Sequence, residues 1–170
     1  MKDPGAYRQF PKQAGGSCTG AASPAALWRV VTAIGGENRY YYLNPLWELR
    51  ERLDTLVGGP GGRRGRPARE TLRAGDVIDS WRVLAVEEER RLALLFGMRA
   101  PGTGVLEFRI APLPARGARL AVTAYWAPRG LPGLLYWHAM DPAHRVLFQG
   151  LTREICRRAE GEAGEAARTA

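Results

Sequence analysis

The chain has 170 residues and a formal net charge of +8, carried almost wholly by arginine, with Lys2 and Lys12 the only lysines. That length suits one domain with a substantial core and is short for two; no run of about 18 apolar residues is available to cross a bilayer, and Met1-Lys-Asp-Pro-Gly lacks the apolar centre of a signal peptide, so the chain reads as soluble and cytoplasmic. An arginine skew beside so much alanine and glycine resembles the coding bias of a GC-rich genome, which argues against nucleic acid as the partner that the charge would otherwise suggest.

Residues 1–22 carry Gly15-Gly16-Ser17 and few large apolar side chains after Phe10, so they are expected to form a mobile N-terminal segment without a site. Ser23-Pro24 is an N-cap followed by proline at the first helical position, and Leu27, Trp28, Val30, Val31 and Ile34 complete a short amphipathic helix ended by Gly35-Gly36. A second helix is expected from Pro45 to Leu56, with Leu46, Leu49, Leu53 and Leu56 as its buried stripe and a Glu48–Arg52 pair facing water.

The loop Gly58-Gly-Pro-Gly-Gly62-Arg63-Arg64-Gly65-Arg66-Pro67 could hold an anion, because arginine forms paired bonds to phosphate and carboxylate. It lacks the Gly-Lys-Ser/Thr ending of a nucleotide loop and does not join a strand to a helix, so it reads first as a structural basic turn and no cofactor is expected. Cys18, Cys156, His138 and His144 show no metal-ligand spacing, and no metal site is expected either.

From Asp76 the period changes to two. Asp76–Val86, Arg91–Met98, Val105–Ala111 and Leu120–Trp126 read as four strands whose connections are too short for helical crossovers, which makes them an antiparallel meander. Leu106, Phe108 and Ile110 share a core face while Glu107 and Arg109 share a wet one; Arg91–Met98 is apolar on both sides and should sit centrally. Downstream, Leu147, Leu151, Ile155 and Ala159 recur every fourth residue and mark a long helix. Asp141-Pro142 should kink a longer helix, a new start there being the alternative, and Gly161 should stop it, leaving residues 161–170 as a frayed tail behind one domain over 23–160.

Short helices, a meander and a long C-terminal helix follow the order of the α+β helix-grip, START-like (SRPBCC) architecture, a curved antiparallel sheet wrapped around that helix. Ile34-Gly-Gly-Glu37, Leu46-Trp47 with Arg50 and Asp54, Leu56-Val-Gly-Gly-Pro60, Arg64-Gly-Arg66, Gly75-Asp76, Asp79 with Trp81-Arg82-Val83, Met98 with Pro101-Gly102, Leu106-Glu-Phe108, Pro128-Arg-Gly130 and Tyr136-Trp137 together closely resemble the domain-of-unknown-function family numbered 2867, over about residues 24–157. Asn38-Arg39-Tyr40-Tyr41, Val105 and Val122-Thr-Ala124 depart from its pattern. The architecture also implies a first strand before Ser23, for which Gln13–Ala22 is poor in strand-forming residues.

The resemblance implies a cavity between sheet and helix that takes a small hydrophobic molecule, with Trp81, Met98, Tyr125, Tyr136 and Trp137 as expected wall residues. A one-residue slip of register would exchange each strand residue for its neighbour. Some START-like proteins are cyclases or isomerases, and in that reading Asp79, alternating with Val77, Trp81 and Val83, or His144 would be the catalytic acid or base; an ion-paired Asp79 and a hydrogen-bonded core His144 are the plain alternatives. Arg63, Arg64 and Arg66 would then line the rim or contact a Rossmann-type oxidoreductase, since the family sometimes follows a Rossmann domain.

Overall fold

The computed structural model describes residues 5–36, 41–56, 58–59, 65–67 and 71–169. After a short 3₁₀ helix, Ala6–Gln9, the elements are β1 (Lys12–Gly20), α1 (Pro24–Thr32), α2 (Asn44–Leu56), β2 (Val77–Ile78), β3 (Trp81–Glu87), β4 (Arg91–Phe96), β5 (Gly102–Pro112), β6 (Ala118–Pro128) and α3 (Gly130–Thr169). The six strands form one antiparallel sheet in the order β1-β6-β5-β4-β3-β2, curved around α3. This is the helix-grip, START-like fold, and β4 sits inside the sheet as its two apolar faces require.

Local chemistry accounts for α1 and for the buried stripe of α3. Ser23 caps α1 through its hydroxyl, which accepts from the Ala26 N–H, and Leu27, Val30 and Val31 bury the face opposite Arg29. On α3 the four-residue recurrence holds: Leu147, Leu151, Ile155 and Ala159 join Leu106, Phe108 and Ile110 in one core. The helix begins at Gly130, passes through Pro142 and continues beyond Gly161 to Thr169, so neither the start at Asp141 nor the stop and frayed tail at Gly161 describes it. On α2 the expected buried stripe fails where it is described: Leu49 is 54% exposed and Leu56 more so, while the side chains of Leu46 and Leu53 lie outside the described residues.

The segment expected to be mobile is an edge strand. β1 pairs with β6 from Lys12 with Trp126 to Gly20 with Ala118. Its glycines, which made the strand look improbable, are what seat the helix: a Cβ on Gly16 would stand 2.7 Å from the Phe148 carbonyl oxygen and 2.8 Å from the Gln149 Cα, so only glycine lets α3 cross there. Gln149 Nε2 donates to the Ser17 carbonyl, and a Cys18–Cys156 disulfide fastens the same strand to the same helix two turns on. Spacing along the chain carried no sign of that bond.

The outer sheet face is not simply wet. Glu107 is only 3% exposed, covered by the N-terminal 3₁₀ helix, and its Oε2 accepts from the Tyr7 hydroxyl at 2.5 Å and from Arg8 at 2.6 Å. Tyr7 also packs edge-on against Tyr125, and with Ala85, Ala93 and Val105 it forms a second small apolar cluster. Burial works to raise the Glu107 carboxyl, but the bonds from Arg8 and Tyr7 outweigh it and hold the group below the usual carboxylate range. Burial, followed by the bond to Glu107, pushes the Tyr7 hydroxyl up to about 12.

Candidate functional site

A cavity of about 330 Å³ lies between the sheet and the N-terminal half of α3. Its floor comes from β3 to β6 and its roof from the successive α3 turns holding Tyr136, Trp137, Met140, His144, Leu147 and Phe148. Leu49 of α2 and Arg99 of the β4–β5 connection also line it, and Arg99 reaches towards the end of α2, where a Cβ on Gly58 would be 3.1 Å from its guanidinium.

Strand register decides which side chains reach this space. Trp81 pairs with Phe96 across β3 and β4, their rings edge to face at 5.4 Å, and both line the cavity with Met98. On β6 the expected Tyr125 is among the lining residues together with its neighbours Ala124 and Trp126, while its ring also packs on Tyr7 and its hydroxyl lies 3.5 Å from Glu107. Trp126 is held firmly. One side of its indole lies on β5, where Gly102 and Gly104 leave room for the ring, and Nε1 donates to the Gly133 carbonyl at 3.2 Å.

The two catalytic candidates separate. Asp79 is not a strand residue but the turn between β2 and β3, with a φ of +51°, and it does not line the cavity. Its carboxylate accepts from the N–H of Gly36 at 3.1 Å and of Gly65 at 3.0 Å, tying together the α1–α2 connection, the arginine-rich loop and the sheet edge. A carboxylate occupied in ordering backbone is a structural anchor, which corrects its reading as a cavity acid or base. His144 does line the cavity, packed between Trp137 at 4.8 Å and Phe148 at 5.4 Å.

Arg66 is likewise structural. Its guanidinium donates to the carbonyls of Ile34 at 2.6 Å and Thr32 at 2.7 Å, capping the end of α1. Arg63 and Arg64 lie outside the described residues. No Rossmann-type partner is therefore assigned to that loop.

Among the described lining residues there is no carboxylate; Arg99 and His144 bring the only basic side chains, and the rest of the wall is mainly aromatic and aliphatic. Such a chamber can desolvate an apolar body and meet one polar group. Sequence reasoning missed Phe96, Met140 and Phe148 as wall residues. The inward alternation of Phe96 with Leu94 was the signal that could have found the first of them.

A family model described as "Protein of unknown function (DUF2867)" matches residues 16–151. Among solved structures, protein NE0264 from Nitrosomonas europaea is similar at 12% identity and a TM-score of 0.52, with 91% of this chain and 97% of that one covered. Protein TTHA0849 from Thermus thermophilus is similar at 10% identity and a TM-score of 0.50, with 89% and 99% covered. DynU16, described as a protein in the dynemicin biosynthetic locus, gives 15% identity and a TM-score of 0.52, with 87% of this chain and 47% of that one covered. At these identities the likeness is one of fold. No curated protein matches significantly.

Proposed function

The chain belongs to the DUF2867 family, and from its helix-grip fold and the chamber beneath α3 we propose that it binds a small, largely apolar ligand between the sheet and the long helix. The observation that carries this reading is the cavity itself: about 330 Å³ bounded by Trp81, Phe96, Trp126, Trp137 and Phe148. Protein interiors leave few voids, and one of this size lined by large side chains costs stability unless it is used. Native mass spectrometry of freshly purified protein tests it, the expected result being a retained small molecule released on denaturation. Bare protein that also binds no apolar probe would refute it.

A second reading, an enzyme of cyclase or isomerase type working in the same chamber, is favoured by the imidazole of His144 in the wall. It requires a recovered ligand to be chemically altered by the wild type and unaltered by His144→Ala. A cytoplasmic location, the plain expectation for a chain without a membrane-crossing helix among its described residues, has to accommodate the Cys18–Cys156 bond, because disulfides persist chiefly in oxidising compartments.

A further inference from the structure

Beyond the ligand-binding reading, and independent of it, we infer that the solvent face of the N-terminal half of α3 docks on an anionic lipid bilayer. Leu131, Leu135, Ala139, Pro142 and Val146 follow one another at steps of four, four, three and four residues, so at about 100° per residue they form one stripe along the helix. All five are exposed, and Leu131, Leu135 and Val146 are each more than half so. The opposite side of the same turns carries Tyr136, Trp137, Met140, Leu147 and Phe148, which roof the chamber. A helix that is apolar on both sides is ordinarily covered on both. Here one side meets the chamber and the other stands in water, and an exposed apolar stripe of that kind marks an interaction face.

Charge decides what covers it. Between Arg129 and Arg158 the chain carries five arginines, Arg129, Arg145, Arg153, Arg157 and Arg158, against the two carboxylates Asp141 and Glu154. Arg129 and Arg145 stand exposed beside the stripe, and Arg153, two turns beyond Val146, continues its line as an exposed base. Asp141 is bound to Arg145, and Glu154 is shared by Arg157 and Arg158, so a positive surplus remains. Leucines edged by arginines are the composition of a helix lying in a bilayer interface, its apolar side chains among the acyl chains and its guanidiniums at the phosphates. A second copy of the chain fits this face less well. It brings the same net charge of +8, and a strip about 22 Å long and about 10 Å wide falls far short of the roughly 800 Å² per partner of a stable interface.

The experiment floats the full chain with vesicles of phosphatidylcholine, alone or mixed in equal parts with phosphatidylglycerol, and sediments the protein without lipid in parallel. Wild-type protein should float with the mixed vesicles, dissociate as salt rises, and float poorly with phosphatidylcholine alone. Leu131→Ser, Leu135→Ser and Val146→Ser combined should weaken binding by at least about tenfold, in line with three apolar side chains no longer leaving water. These positions are exposed, and a thermal melt like that of the wild type checks that the fold is kept. Should that variant melt early, Arg129→Gln with Arg153→Gln decides the matter: it keeps the apolar stripe and should lose the preference for the mixed vesicles. Wild-type protein that floats with neither vesicle, or variants that float as well as the wild type, would overturn the inference. A dimer in sedimentation that the serine variant dissolves would overturn it too, by giving the face to a second copy. The ligand-binding reading is tested by its own probes and survives each of these outcomes.

Discussion

The indole of Trp126 lies against Gly104, its cross-strand partner: a Cβ at Gly104 would stand 3.1 Å from Cε3 of the ring. The glycine is thus the recess that keeps the indole on the cavity floor, an arrangement in which an aromatic ring covers a strand glycine. Gly104→Val should push the ring into the chamber. The expected outcome is a loss of about 1–3 kcal/mol in stability from overpacking, with apolar-probe binding weakened out of proportion. Denaturant melts and a probe titration of the same preparation measure both.

The core beneath α3 gives a harsher prediction. Leu151 is 1% exposed and shares a cluster with Phe108 and Ile110. Leu151→Asp places an unpaired charge there and should cost several kcal/mol, enough to abolish cooperative thermal melting. A melt like that of the wild type would show that α3 does not lie where it is placed.

Glu107 and Tyr7 make stability depend on pH at both ends. The folded Glu107 carboxyl lies below its ordinary value, so its contribution is complete above the usual carboxylate range and disappears as pH falls through the depressed value. Tyr7 is raised to about 12, so its contribution is complete below the ordinary tyrosine value and disappears as pH climbs towards about 12. Glu107→Gln should therefore flatten the acid limb of a stability profile, and Tyr7→Phe the alkaline limb. At neutral pH each should also cost about 1–3 kcal/mol, because buried partners lose a charge-assisted bond.

Cys18 and Cys156 are 138 residues apart in sequence. Their bond restrains most of the unfolded chain, and Cys156→Ser should lower stability by about 2–5 kcal/mol. Thiol titration of native protein checks the premise: no free thiol is expected before reduction and two after it, and two free thiols in the native state would remove it.

The elements that were legible from sequence alone are those whose cause is local. Ser23-Pro24 capping α1, the Leu147–Ala159 stripe and the Leu106, Phe108 and Ile110 face of β5 needed no knowledge of distant residues. β1 failed because Gly15 and Gly16 answer to a helix that crosses more than a hundred residues later, and propensity has no record of that. Asp79 was misread because alternation ran unbroken through a turn that places it at positive φ, and its partners Gly36 and Gly65 are remote in the chain. Tyr125 lines the cavity as expected, yet its contacts with Tyr7, more than a hundred residues earlier, and with Glu107, eighteen residues earlier, left no mark in the local pattern. Arg66 follows the structural reading of its loop rather than the anion-site alternative, two roles that share one sequence signature because a guanidinium can cap a helix end or bind phosphate.

The most direct test of the ligand-binding chamber is to fill it. Ala124 faces the cavity from β6, and Ala124→Phe occupies the space a ligand would take while changing no polar group. Fluorescence titration with the neutral probe phenylnaphthylamine should show saturable one-to-one binding to the wild type and none to Ala124→Phe, with cooperative melting retained in both. Equal binding by the two proteins, or none by the wild type, would contradict the account.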